Sequence, residues 1–283
     1  MSSAFSPGSL EEALQHLSDD PKLKPIAGCT DLFVCEPEER LEEWPGVLNL
    51  QGIAELRKIG LNGGALEIGA GATFTDLQES VLVKQHFPSL VEVASLVGGW
   101  QIQNRATVGG NIANASPAGD SLPVLLALDA EIVAVSKTGE RRIPYTEFHT
   151  GYRQIDLESG ELIARIRVPI PAAGTQQYFW KVGTREALAI SKVVVALVGQ
   201  VENRKIVDYR LAAGSVAAMP IRLSKVEHAV QGQPAEPSTA DLAGKTVAES
   251  VEPIDDVRST AAYRKFALQR VVRRLTLRLT QTG

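Results

Sequence analysis

The chain has 283 residues, 44% hydrophobic and 22% charged, with a formal net charge of −4. That length accommodates two modest domains, each with its own core, and the composition is that of an ordinary soluble globular protein. The negative balance excludes a basic field for nucleic acid or an anionic membrane. No apolar run approaches the roughly 20 residues of a membrane span, and Met1 to Pro7 lack a basic-then-apolar leader pattern, so a cytoplasmic address is expected.

Ser9 ahead of Leu10 to Leu17 predicts a helix, with Ser9 as N-cap, Glu12 completing a capping box, and Leu10, Leu14 and Leu17 on one face. His16 on it reads as a solvated residue. Lys24-Pro25-Ile26-Ala27-Gly28-Cys29-Thr30-Asp31 reads as a short strand breaking into a Gly-rich loop. The acidic run Glu36 to Glu43 reads as a solvated connection before a strand at Val47 to Leu50. Two cysteines, Cys29 and Cys35, cannot ligate an iron–sulfur cluster or a structural zinc, and their spacing fits no common disulfide framework. Both are expected to be reduced, and any cluster must sit on another chain.

Leu56–Leu61 and Ala65–Ala70 around Asn62-Gly63-Gly64 predict a β-hairpin, with helices from Thr73 or Thr75 and over Pro88 to Gly99. The stretch Arg105 to Asp120 then concentrates Gly109, Gly110, Gly119, Asn111 and Asn114 between apolar segments. Glycines there permit φ > 0 and close backbone approach, and converging N–H groups make an anion nest. Neither this stretch nor the first loop is a P-loop or a dinucleotide fingerprint. A Gly-rich turn between core elements explains either equally well. Asp120 precedes a helix at Leu122 to Leu128, where it caps the helix or meets a ligand hydroxyl. Spacing favours the cap.

Strands are expected at Glu131 to Val135, Arg141 to Pro144 and Leu162 to Pro169. The last has Ile and Val on one face and Arg165 and Arg167 on the other. The arginines read as a phosphate grip or, more commonly, as charges on a half-exposed strand. Pro169 to Gly174 is the linker candidate. Beyond it come strands at Gln177 to Val182, Ile190 to Val201 and Lys205 to Ala213. Helices follow around Leu223 to Val230, Ala240 to Ser250 and Ser259 to Leu279. The last helix carries Tyr263, Arg264, Arg270, Arg273, Arg274 and Arg278 on a basic face, solvated or turned to a partner. Runs of strands followed by runs of helices argue an α+β fold.

No Ser-His-Asp, Cys-His or paired-carboxylate arrangement stands out, and His86, His149 and His228 lack metal-ligand spacing. No catalytic or metal-binding residue is therefore assigned. Two phosphate-type loops without a nucleophile fit a cofactor carrier, in which the cofactor does the hard chemistry. At roughly 1.5–3 kcal/mol for each charge-assisted hydrogen bond, five or six backbone donors hold a pyrophosphate without a lysine.

Ala27-Gly28-Cys29-Thr30-Asp31, Ala106-Thr107-Val108-Gly109-Gly110-Asn111-Ile112 and Ser116-Pro117-Ala118-Gly119-Asp120, in that order, resemble the FAD-binding medium subunit of the molybdenum hydroxylases. These are the xanthine and carbon monoxide dehydrogenase type enzymes, and the resemblance runs from about Ser9 to about Leu279. It implies a two-subdomain FAD-binding domain of the vanillyl-alcohol-oxidase-like (PCMH) kind over 1–172, split near 55–60. A smaller α+β domain of the carbon monoxide dehydrogenase flavoprotein C-terminal type is implied over 175–283. It further implies that Lys24, Pro25, Ile26, Ala27, Gly28, Cys29, Thr30 and Asp31, with Thr107, Val108, Gly109, Gly110 and Asn111, wrap the pyrophosphate of non-covalent FAD. Asn114, Ser116 and Asp120 match positions near the ribityl and pyrophosphate part, Ile163 an apolar position against the isoalloxazine, and Lys181 a lysine reaching the flavin. By its own context Lys181 reads as an exposed strand lysine. Related flavoproteins often carry a second Gly where Cys29 stands, so the loop here is expected to be shifted or to bind less tightly.

The implied role is electron transfer from 2Fe–2S clusters on a small subunit, fed by a molybdenum cofactor on a large subunit, to NAD, oxygen or a quinone. The implied assembly is a heterotrimer, often doubled. No cysteine-rich insert of the hydroxybenzoyl-CoA reductase branch is present. Two other classes stay open: a stand-alone FAD oxidoreductase of the vanillyl-alcohol oxidase or MurB type, and a flavin-less interaction subunit.

Overall fold

The structure, a computed structural model, describes residues 3–35, 43–185 and 188–282. Ser3–Phe5 (β1), Lys24–Ile26 (β2) and Gly46–Asn49 (β3) form a small parallel sheet in the order β1-β3-β2. Parallel strands need a crossover, and Leu10–Asp19 (α1) lies between β1 and β2. Ser9 caps α1 by accepting from Glu12 N, as expected. Glu12, however, reaches past Ser9 to the Gly8 amide, so the reciprocal half of the capping box falls one residue early. The short helix Leu32–Cys35 (α2) follows the first Gly-rich loop. Of the expected acidic connection, Glu36 to Glu42 lies outside the described residues.

The next unit is a five-stranded antiparallel sheet made of Ile59–Asn62 (β4), Ala65–Gly69 (β5), Glu131–Ser136 (β6), Gly139–Pro144 (β7) and Leu162–Pro169 (β10). Their order is β4-β5-β10-β6-β7, with His149–Gly151 (β8) and Gln154–Ile155 (β9) as a separate ribbon. The first hairpin strand starts later than expected. Leu56 and Arg57 belong to a 3-10 turn, Ala54–Arg57, and the Leu56 carbonyl accepts from Gly71 N.

β10 does not alternate throughout. Its register shifts between Ile163 and Arg165. That bulge leaves Ile163 on the same side as Ile166 and Val168, while Leu162 and Ala164 face the α1 side. Beyond the bulge Arg165 pairs with Glu67 and Glu140, and Arg167 with Glu131. Both arginines are spent on sheet carboxylates rather than on a phosphate.

One face of this sheet carries Phe74–Glu79 (α3), Val81–His86 (α4), Pro88–Leu96 (α5), Trp100–Gln103 (α6), Val108–Asn114 (α7), Ser121–Ala127 (α8) and Tyr145–Phe148 (α9). Thr73 starts α3 with a full capping box to Asp76. The last unit is an antiparallel sheet, Gln176–Val182 (β11), Val193–Glu202 (β12), Lys205–Gly214 (β13) and Ile221–Arg222 (β14), in sequential order. Ser224–Val230 (α10), Pro237–Ala248 (α11) and Ala261–Thr280 (α12) cover its outer face.

β12 explains how the units are joined. Val193, Val195 and Leu197 enter the core under α10 to α12, while Val194, Ala196 and Val198 enter the core shared with α8. Burial on both faces is why this strand reads as an unbroken apolar run. All seven residues of α8 are buried, and the helix packs on β12, β13 and β14.

Below α9, His149 Nε2 lies 2.9 Å from the buried Tyr145 hydroxyl, and its Nδ1 is buried without a partner. Burial lowers the His149 pKa from 6.5 to about 4, so the folded chain holds it neutral. A depressed histidine contributes stability that is complete above the unfolded value and lost as pH falls toward the folded one. Urea midpoints should therefore decline between pH 6.5 and about 4, and His149→Phe should flatten that part of the profile; an unchanged profile would assign the acid sensitivity elsewhere.

Candidate flavin cleft

A cleft of about 880 Å³ opens between the first two units and the last sheet, within the usual range of cofactor pockets. One wall holds Asp31, Asn111, Asn114 and Ser116 to Asp120. The opposite wall holds Leu188 to Ser191, Ser215, Asp256 and Arg264.

The two Gly-rich stretches meet through close contact. A Cβ on Gly28 would stand 2.0 Å from the Arg105 carbonyl oxygen, and one on Gly109 would stand 2.5 Å from Ala70 Cβ. None of Gly28, Gly109, Gly110 and Gly119 has φ > 0. These glycines serve close approach alone, and the left-handed positions fall to Cys29 (φ 58°) and Ala115 (φ 49°). Arg153, Leu188 and Ser215, all lining the cleft, are also left-handed. Such backbone is costly and collects where a site requires it.

The expected donor set is redistributed. Thr107 to Asn111 is not an open loop but the start of α7. Val108 N donates to Ala72 O, Gly109 N to Ala70 O, Gly110 N to Thr107 Oγ1 and Asn111 N to Thr107 O. These amides hold the chain together and are not free for a phosphate. Among the described residues, the amides of Gly28, Cys29 and Thr30 have no protein acceptor. Three successive orphan donors around a left-handed residue form a nest, which fits a pyrophosphate. From α7 it is Asn111 and Asn114 that line the cleft. Asn111 Oδ1 accepts from Ser121, and Asn114 Oδ1 accepts from Arg153. Ser116 Oγ accepts from Ala118 N in a tight turn.

Asp120 does not cap α8. Its backbone is already helical, and its side chain makes no cap bond. One carboxylate oxygen instead accepts from Lys181 Nζ at 2.6 Å and the other from Ser191 Oγ. Burial raises the Asp120 pKa, with Lys181 and Ser191 opposing. Lys181, 7% exposed at the side chain, also donates to Leu96 O, so it is a buried interdomain partner rather than an exposed strand lysine. β12 begins at Val193 rather than at the expected Ile190.

Lys24, Pro25 and Ile26 form β2, and Ile163 is 7% exposed in the core; neither they nor Ala27 to Thr30, Thr107 to Gly110 or Lys181 line the cleft. Cys29 is a free thiol whose Sγ donates to Ala27 O.

The opposite wall was not foreseen. Arg264 is buried rather than solvated with its neighbours, donating to Lys192 O, Ser215 O and Asp256 Oδ1. The signal was its phase, since it shares a helical face with Leu268, Val271 and Leu275.

Residues 1–171 match the family model described as the FAD binding domain in molybdopterin dehydrogenase, and residues 178–279 match the CO dehydrogenase flavoprotein C-terminal domain. The chain belongs to this flavoprotein family. It is 31% identical to the xanthine dehydrogenase FAD-binding subunit of Escherichia coli O157:H7, over 94% of this chain and 92% of the other. Against the nicotinate dehydrogenase FAD-subunit of Eubacterium barkeri it is 30% identical, over 96% and 93%. Quinoline 2-oxidoreductase from Pseudomonas putida 86 superposes with a TM-score of 0.92 at 27% identity, covering 99% and 97%. The family is α+β with FAD as its cofactor.

Cys29 is one of the chain's left-handed residues with a side chain. Left-handed backbone costs a Cβ-bearing residue roughly 1–2 kcal/mol, and glycine's extra unfolded freedom returns about 0.4–1 kcal/mol of any gain. Cys29→Gly should raise stability by up to about 1 kcal/mol in urea denaturation without weakening flavin retention. A destabilised variant would show that the thiol contact to Ala27 outweighs the strain.

Proposed function

We propose that this chain is the FAD-carrying electron-transfer subunit of a molybdenum-containing hydroxylase or dehydrogenase. On this reading it takes electrons from 2Fe–2S clusters on a small partner subunit and passes them to an external acceptor. The FAD-binding unit spans 1–172, split near 55–60, and the smaller unit spans 175–283. The observation that carries this is the nest at Gly28 to Thr30, directly before Asp31 on the wall of a cleft whose far wall belongs to the second unit.

Each residue then has a task. Gly28, Cys29 and Thr30 donate to the pyrophosphate, with Gly109 and Gly110 allowing the supporting backbone to pack close. Asn111, Asn114 and Ser116 offer side-chain polar groups along the same wall. Asp120 holds Lys181 and Ser191, so a paired, largely buried charge ties the two walls of the cleft together. FAD supplies the electron-accepting chemistry that these side chains lack. With two cysteines in the chain, the clusters and the molybdenum cofactor belong to partner subunits.

The purified chain should absorb near about 370 and 450 nm and release FAD on acid precipitation, one per chain. Gly28→Ala, whose Cβ would collide with the Arg105 carbonyl, should fold by circular dichroism yet retain much less flavin. A colourless wild type that takes up no FAD would sink the proposal, and full retention in the variant would sink the assignment of the nest.

A further inference from the structure

Arg270, Arg274 and Arg278 stand on every fourth residue of α12, all exposed, about 6 Å apart along the axis. Each guanidinium lies over an aromatic ring. The distances to the ring centroids are 5.3 Å to Phe266, 4.4 Å to Trp180 and 4.7 Å to Tyr178. Lys192 Nζ lies 5.2 Å from the Tyr263 ring. Such pairs occur about once per 70–80 residues, so a chain of this length holds about four scattered anywhere. All four found among the described residues involve α12.

The neighbouring arginines on the same helix are spent, Arg264 on Asp256 and Arg273 on Asp241. Among the described residues no carboxylate stands within ion-pair distance of Arg270, Arg274 or Arg278. Glu92 is influenced by Arg278 from farther off. A guanidinium lying on a ring keeps its N–H edges turned away from that ring, in the fork that grips carboxylates. Phe266 and Tyr263, 56% and 43% exposed, add apolar anchors at the head of the stripe. Aromatic rings with arginine are the usual composition of an interface hot spot.

We propose that this stripe docks a carboxylate-rich segment of a partner subunit; the inference rests on the subunit reading above. Carboxylates repeating at about 6 Å, as on every fourth residue of a helix, would match the three guanidinium groups. A second copy meeting the stripe by a two-fold axis would set arginine against arginine. A nucleic acid would face a chain of net charge −4. An acidic protein segment meets neither objection.

The test uses the full chain co-expressed with the large and small subunits of its enzyme, as wild type, as Arg270→Glu/Arg274→Glu/Arg278→Glu and as the corresponding triple Gln variant. Association is then measured by biolayer interferometry at low and high salt. Wild-type affinity should fall with salt, and the Glu variant should bind at least about tenfold more weakly at low salt. The Gln variant should lie between them, with FAD content and melting temperature unchanged in both. Equal affinities would overturn the proposal. So would a wild type that dimerises through the stripe alone, or one that binds a duplex DNA oligonucleotide that the Glu variant does not. A wild type carrying full FAD yet joining no partner subunit would overturn the subunit reading and this proposal together, whereas assembly indifferent to the stripe overturns this proposal alone.

Discussion

Ser121–Ala127 is buried over its whole length between two sheets, and much else follows from that placement. Asp120 stands at its N-terminus with a side chain only 11% exposed. A buried carboxylate must be paired or neutralised. Lys181 and Ser191 supply the partners from the other side of the cleft. Removing one partner of such a pair typically costs about 3–5 kcal/mol, because the other charge is left uncompensated. The pair does more to fix the relative position of the two walls than to add net stability. From Ser191 the tie continues, since Ser215 Oγ donates to Ser191 O and Arg264 to Ser215 O and on to Asp256.

The same economy appears in the backbone. Tight packing of the first loop on Arg105, and of α7 on Ala70, requires glycine for room and not for conformation. Left-handed conformations fall on residues with side chains at Cys29 and Ala115 in the motif stretches and at Arg153, Leu188 and Ser215 in the lining of the cleft. Holding those conformations requires the surrounding core to over-determine them. The packing of both sheets on α8 provides that rigidity.

Much of this was legible in the sequence. Ser9, Thr73 and the alternating runs place helices and strands because capping and period are local properties. The motif residues Asp31, Asn111, Asn114, Ser116 and Asp120 do line one cleft. What escaped is what depends on long-range contact. The bulge at Ala164 cannot be read from a strand whose sequence alternates. The cap expected of Asp120 lost to a lysine 61 residues away. Nothing near Ser191 or Ser215 marks them as wall residues, and Arg264 looks like its neighbours until its helical phase is compared with Leu268 and Leu275. The acceptors of the Val108 and Gly109 amides, Ala72 and Ala70, lie in another segment, so nothing in the motif itself marks those amides as taken.

The central claim is that the nest at Gly28 to Thr30 and the far wall at Leu188 to Ser191 and Ser215 form one FAD site. Hydrogen–deuterium exchange of the flavin-free chain, with and without added FAD, tests it most directly. Slowed exchange is expected at Gly28 to Asp31 together with Leu188 to Ser191 and Ser215 to Ala218, all at the same FAD concentration. Protection confined to the N-terminal wall would contradict it, showing that the cofactor does not bridge the two units.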